Sequence, residues 1–174
     1  MNKLQLEQCI RDYGKEIYNF CRHLTGSVQE AEELYQDTFL KAMELLKKID
    51  YENNPKSFLI SISLRLWKNK KRKYAWRMQI AETQSLVEEA VENLEAEHCP
   101  EAEMIRHEIV HQVRKSVAGL EEKYRIPVYL FYTAQLSVEE IAGVLKIPQG
   151  TVKTRLHKAR KLLKEELEVV LDEI

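Results

Sequence analysis

Glycine and proline are scarce, 5 and 4 of 174 residues, well below the usual combined share of roughly 12%. So little turn chemistry cannot join many short strands, which argues for helices. Long apolar runs are also missing. No stretch approaches the ~18 consecutive apolar residues of a membrane-spanning helix, and Met1-Asn2-Lys3-Leu4-Gln5 lacks the charged-then-apolar order of a secretory leader. A cytoplasmic chain without membrane insertion is expected. The cysteines, Cys9, Cys21 and Cys99, are odd in number and far apart. They predict reduced thiols rather than a disulfide framework or a zinc knuckle. Net charge is lacking too: 27 Lys and Arg stand against 28 Asp and Glu, a sum that alone speaks against a nucleic-acid partner.

What is present is a strong ordering of that charge. Residues 56–81 carry eight basic side chains and no acid, whereas residues 82–103 carry eight glutamates and no Lys or Arg. A second basic block runs from Lys146 to Lys164, followed by Glu165, Glu166, Glu168, Asp172 and Glu173. Such segregation creates local fields although the total is near zero. A single run is as readily a solvated helix face; two basic blocks flanking an acidic one favour distinct surfaces.

Apolar spacing divides the chain into two helical halves. Ile10, Tyr13, Ile17, Phe20, Cys21 and Leu24 step as one helix face, closed by Thr25-Gly26. Ser27-Val28-Gln29-Glu30 has capping-box form, and Val28, Ala31, Leu34, Tyr35, Phe39, Met43 and Leu46 predict a second helix to about Lys48. A polar loop, residues 50–54, leads to Pro55 and a third helix, apolar from Phe58 to Trp67 and then a basic arm with Tyr74 and Trp76. The glutamate-rich stretch reads as a linker. Beyond Pro100, Ile105, Ile109, Val113, Val117 and Leu120 predict a helix with a buried stripe, and a further helix is expected over about 125–134, with Pro127 in its first turn. Ser137-Val138-Glu139-Glu140 caps a short helix through Leu145, Ile147-Pro148 interrupts it, and a long helix begins near Gln149. On that helix Val152, Leu156, Ala159, Leu163, Leu167 and Val170 form the inner stripe, Thr151, Thr154, Lys158 and Lys161 face away, and Lys153 and Arg155 flank it. The predicted class is all-α: two small helical domains, 1–80 and 101–174, joined by an acidic linker, 81–100, the C-terminal one carrying a helix-turn-helix.

A capped short helix, a Pro-containing turn and a second helix with an exposed Thr, Lys and Arg face form the helix-turn-helix pattern of DNA binding. A plain helical hairpin with a solvated basic face is the alternative. The run from Leu136 to Lys164, LSVEEIAGVLKIPQGTVKTRLHKARKLLK, strongly resembles region 4 of bacterial RNA polymerase sigma factors, most closely from Gly150 to Arg160. Residues 30–39, EAEELYQDTF, resemble the region 2 segment that docks on the polymerase clamp, and Lys56 to Ile62 resembles the start of the promoter-melting helix. The likeness spans nearly the whole chain and is similar to the small extracytoplasmic-function group, with regions 2 and 4 only. Phe58 stands where that family usually has Trp, Arg65 where it often has Asn and Lys146 where its turn commonly has Gly, which leaves promoter preference open.

The resemblance implies a sigma factor, not an enzyme and without cofactor or metal, that binds core RNA polymerase (clamp and flap) and promoter DNA, with an anti-sigma factor among its candidate partners. Region 4 then reads the -35 element as duplex through Thr151, Lys153, Thr154, Arg155, Lys158 and Lys161. Arg155 is the first choice for a base, because its planar fork pairs bidentately with guanine. Region 2 opens the -10 element through Asn53, Asn54, Arg65, Lys68, Asn69, Lys70, Arg72, Lys73 and Trp76. Charge there meets the backbone, aromatic faces meet unpaired bases, and the 50–54 loop receives a flipped base. Core packing is the favoured role of Trp67 and an equal alternative for Trp76. Glu33, Leu34, Gln36, Asp37 and Phe39 are the expected polymerase contacts, and the linker glutamates are candidate mimics of RNA phosphates. A polymerase-independent helix-turn-helix regulator remains the second reading. His107-Glu108-Ile109-Val110-His111 also fits a zinc-peptidase pattern, but the stripe through Ile109 and Val113 and the want of a third ligand motif weigh against metal there, with or without Cys99.

Overall fold

The computed structural model describes residues 1–80 and 101–172, with side chains for 1–79 and 109–168; the predicted linker, 81–100, lies outside the described residues. Among the described residues the regular structure is helical throughout, and contacts cluster into two units.

The first unit packs α1 (Lys3–Thr25), α2 (Val28–Glu44) and α3 (Pro55–Ile80) against one another. Asn2 and Gln5 cap α1 reciprocally, and Gly26 ends it at φ 74°, a left-handed conformation that glycine takes without a Cβ penalty. The buried face of α1 is Leu6, Cys9, Gly14, Ile17, Phe20, Cys21 and Leu24. Ile10, expected inside, is 39% exposed, because the face that meets α2 and α3 runs through Leu6 and Cys9, one step round the helix. Gly14 admits a close approach: a Cβ there would stand 2.8 Å from the Tyr35 hydroxyl of α2.

On α2 the inward residues are Ala31, Leu34, Thr38, Phe39 and Ala42, while Val28 and Met43 are exposed. The α-helix ends at Glu44, short of the predicted Lys48, and a 3-10 turn continues over Leu46–Lys48. Ser27 makes only half of its box, accepting from the Glu30 N–H at 3.4 Å, since the Glu30 carboxylate turns to Lys70 instead. The Thr38 hydroxyl donates to the Leu34 carbonyl at 2.6 Å and lies 3.0 Å from the Ser63 hydroxyl of α3, a wholly buried polar link inside an otherwise apolar core. Leu59, Ile60, Ile62 and Leu64 are buried on α3, and from residue 70 to 79 every side chain is exposed. The helix thus leaves the core where its sequence turns basic.

The second unit holds α4 (Glu101–Gly119), α5 (Glu122–Val128), α6 (Val138–Leu145) and α7 (Gln149–Asp172). Among the described side chains of α4, 109–119, burial begins at Ser116 and Val117, while Ile109 and Val113, expected inside, are 42% and 37% exposed; Ile105 lies outside the described side chains, and the helix packs on α5 and α7. The helix predicted from residue 125 begins at Glu122, placing Pro127 inside it rather than in its first turn. Proline has no N–H to give and crowds the carbonyl four residues back, and the chain widens downstream into a π turn, Tyr129–Thr133. Ser137 and Glu140 complete a reciprocal box on α6. Lys146 closes that helix at φ 55°, ψ 47°, the left-handed geometry that a glycine would take more cheaply. Ile141, Val152, Leu156 and Ala159 seal α6 and α7 together.

Candidate nucleic-acid interface

The Ser137 box fixes the start of α6, the left-handed Lys146 and Pro148 turn the chain, and the seal at Ile141 and Val152 fixes the direction of α7. Lys153, Thr154, Lys158 and Lys161 are exposed on α7, whereas Thr151 and Arg155 are half-buried at its edges. The Thr154 hydroxyl donates to the Gly150 carbonyl at 2.9 Å. Lys161 stands 3.7 Å from Glu165, an exposed pair worth at most about 1 kcal/mol. Among the described residues Lys153, Arg155 and Lys158 form no hydrogen bond or ion pair, so a cationic face is left to a partner. His157 lies on the same exposed face between Lys153 and Lys161. Its helical position was available in the sequence, and the motif's attention to Lys and Arg passed it over.

In the first unit the candidate residues sit at different places. Asn53 is exposed, but Asn54 stands at φ 50° and its side-chain oxygen accepts from the Ser57 N–H at 3.1 Å, capping α3. Its amide keeps the NH2 and one oxygen lone pair for a base. Arg65, Lys68, Lys70, Arg72, Lys73 and Trp76 are exposed along α3 and Asn69 is half-buried; Arg72 donates to the Asn69 side-chain oxygen at 3.2 Å. Trp76 is 64% exposed, an open aromatic face on the basic arm. Trp67 is half-buried, with the Lys71 ammonium 5.2 Å from its ring centroid.

Lys70 turns toward α2, 3.2 Å from Glu33 and 3.5 Å from Glu30. Partial burial works against its charge, but the two carboxylates outweigh it and lift the ammonium above its ordinary value. The pair borders a groove of about 350 Å³ between α2 and α3, with Asp37 on one wall and Trp67 on the other. Two candidate sets, one basic and one acidic, therefore share this edge.

The acidic face of α2 presents Glu33, Gln36 and Asp37 to solvent. Leu34 and Phe39 do not belong with them: at 6% and 8% exposure they are core, and a side chain enclosed by α1 and α3 offers no docking surface. The most exposed large apolar residues of α2 are instead Leu40, 55%, and Met43, 47%. They lie one turn apart: the apolar spacing assigns Met43 to the inner stripe, and Leu40 follows Phe39 just outside it. In the second unit the side chains of His107 and Glu108 lie outside the described residues, His111 is exposed, and no group of three metal-binding side chains occurs among the described residues. No described helix is long and apolar enough to cross a membrane.

Residues 9–77 match the family described as Sigma-70 region 2, and residues 111–163 match Sigma-70, region 4. The ECF RNA polymerase sigma factor SigW of Bacillus subtilis strain 168 is 31% identical over 160 residues, 89% of this chain and 84% of that protein. The RNA polymerase sigma-H factor of Pseudomonas aeruginosa is 26% identical over 178 residues, covering 99% and 91%. Among solved structures, the sigma factor RpoE in complex with the anti-sigma factor NepR from Bartonella quintana superposes with TM-score 0.78 at 23% identity, over 94% of this chain and 96% of that one.

Proposed function

The chain belongs to the extracytoplasmic-function sigma factors of RNA polymerase, and from that membership we propose how its two units divide promoter recognition. In this reading the chain binds core polymerase and directs promoter-specific initiation. α7 enters the major groove of the -35 element with Thr154, Lys158 and Lys161 leading, Lys153 and Thr151 beside them and Arg155 reaching a base from the helix edge. The α3 arm, through Arg65, Lys68, Asn69, Lys70, Arg72, Lys73 and Trp76, holds the opened -10 strand, and the loop at Asn53 and Asn54 takes an unstacked base. Glu33, Gln36 and Asp37 on α2 face the basic surface of the polymerase clamp. The family is not an enzyme class; the polymerase supplies the chemistry and this chain supplies placement, in the cytoplasm, where polymerase and promoter meet. An anti-sigma protein is a further partner in this reading, by extension from the RpoE complex.

The observation that carries the reading is that two cationic helix faces, on α3 and α7, are exposed among the described residues, one in each unit, with the acidic face of α2 beside the first. The test is RNA synthesis by bacterial core polymerase on genomic fragments with and without the chain. Discrete new start sites are expected. Activity as a repressor only, with no start site gained, would overturn the reading in favour of a polymerase-independent regulator.

A further inference from the structure

The π turn that follows Pro127 sets two consecutive aromatic residues, Phe131 and Tyr132, against α7 at Arg160. Their rings meet edge to face, with centroids 5.0 Å apart at 77°. The Arg160 guanidinium lies 5.7 Å from the Phe131 centroid, and its Nε–H donates to the Tyr132 hydroxyl at 3.0 Å. Arg160 is exposed and Tyr132 is 56% exposed. Among the described residues neither Nη of Arg160 has a hydrogen bond. Because the Tyr132 oxygen accepts from Nε, its own proton is also uncommitted.

The contrast with the neighbouring cations is informative. Lys161 pairs with Glu165 and Lys164 with Glu168, so their charges have carboxylate partners in the free protein. Arg160 has aromatic partners, which fix the plane of the fork without neutralising it. The result is a held cation, two uncommitted Nη amino groups and a hydroxyl donor at one spot. That is the donor set of a tetrahedral oxyanion. Arg160 stands about 100° round the helix from Lys161 at 3.6 residues per turn, on the flank where the wall of a groove runs when the Lys161 face points to its floor.

We propose that Arg160 and Tyr132 form a phosphate-binding site that grips a single DNA backbone phosphodiester beside the element read by α7. The proposal rests on the promoter-binding role given above. Pre-fixing the guanidinium lowers the ordering cost of that contact, and the site adds affinity and register rather than sequence information.

The experiment uses holoenzyme, core polymerase with the full chain, on a fragment selected by that holoenzyme, and replaces single phosphates around the -35 element with neutral methylphosphonates. One position is expected at which the wild type loses about tenfold in affinity while R160Q and Y132F, already weakened, lose less than about twofold. R160Q should also flatten the dependence of log K on log salt by roughly 0.9, one phosphate's worth. R160K should retain most of that slope while losing part of the affinity. Unaltered salt slope and an unaltered phosphate profile in R160Q, with only a lowered Tm, would make Arg160 a structural fastener and overturn the proposal. A wild-type holoenzyme that selects no fragment would overturn the functional reading and this site with it.

Discussion

The Lys70 ammonium lies 3.2 Å from Glu33 and 3.5 Å from Glu30, so a side chain proposed for promoter DNA is held in the free protein by one proposed for the polymerase. All three are roughly half exposed, which limits each pair to about 0–1 kcal/mol. Replacing Glu30 and Glu33 with glutamine is therefore expected to raise the affinity of the isolated chain for single-stranded DNA by roughly 2–5-fold at low salt. The gain should vanish near 0.5 M salt and in the K70Q background. Fluorescence anisotropy across a salt series is the measurement. A gain that persists in K70Q would mean that the acids act by general repulsion instead.

Leu40 and Met43 are the most exposed large apolar residues of α2. Changing both to serine is expected to weaken core binding by roughly tenfold, about 1.4 kcal/mol, with an unchanged Tm. Phe39→Ala should do the opposite, costing about 3–5 kcal/mol of stability because it empties a core position. Thermal unfolding alongside core-binding titration separates the two.

Arg155→Ala should relax discrimination at one -35 position by about 1–3 kcal/mol, whereas Lys161→Ala should weaken all sequences alike and reduce the salt slope by roughly one contact. Competition binding by the holoenzyme on single-base variants of the element distinguishes these outcomes. Equal losses on every variant for Arg155→Ala would assign Arg155 to phosphate.

Lys146→Gly is expected to stabilise the second unit by about 1 kcal/mol, since the residue sits at φ 55° and ψ 47°. In a domain of this size that corresponds to roughly 4–8 °C in its unfolding transition. A lowered transition would show that the lysine side chain makes up for its backbone strain.

Burial pushes the Cys21 thiol up to about 12, against the lesser opposing pull of its bond with Ser63. The folded protein therefore keeps this proton where the unfolded chain, ionising near the ordinary thiol value of 9.0, releases it. Stability from this source is complete below pH 9 and declines as pH rises from about 9 to about 12. Denaturant midpoints measured at pH 8 and pH 10.5 should fall for the wild type more than for C21A. Thiol labelling of Cys21 should proceed at the rate of unfolding.

The helix-turn-helix was readable because each part leaves a local mark: a Ser and Glu three apart, a proline after the break, and apolar steps of three and four from Val152 to Ala159. Core assignments elsewhere were readable only to within a step. Ile10 and Cys9, or Phe39 and Leu40, are adjacent letters whose burial depends on where the neighbouring helix lies. Leu34 and Phe39 were drawn into the docking set because a family pattern marks positions without separating those that pack from those that touch a partner. The π turn had a visible cause in Pro127, but its effect appears only where α5 meets α7. Arg160 drew notice as one basic letter in a motif, while its partners Phe131 and Tyr132 lay 28 or more residues away.

The outer part of α3 is a helix with nothing described against it. Over residues 70–79 its large apolar side chains, Tyr74, Trp76 and Met78, are exposed, and Lys73 and Arg77 repel at one-turn spacing. Its winding rests on propagation from the packed first half of α3 rather than on contacts of its own. A polyanion laid along it would remove the repulsion and serve as its missing neighbour, so binding and winding would be one event. Under that coupling the length of wound helix becomes a measure of how much strand has been captured, and partial capture leaves a frayed tip from which an incorrect sequence can slip away.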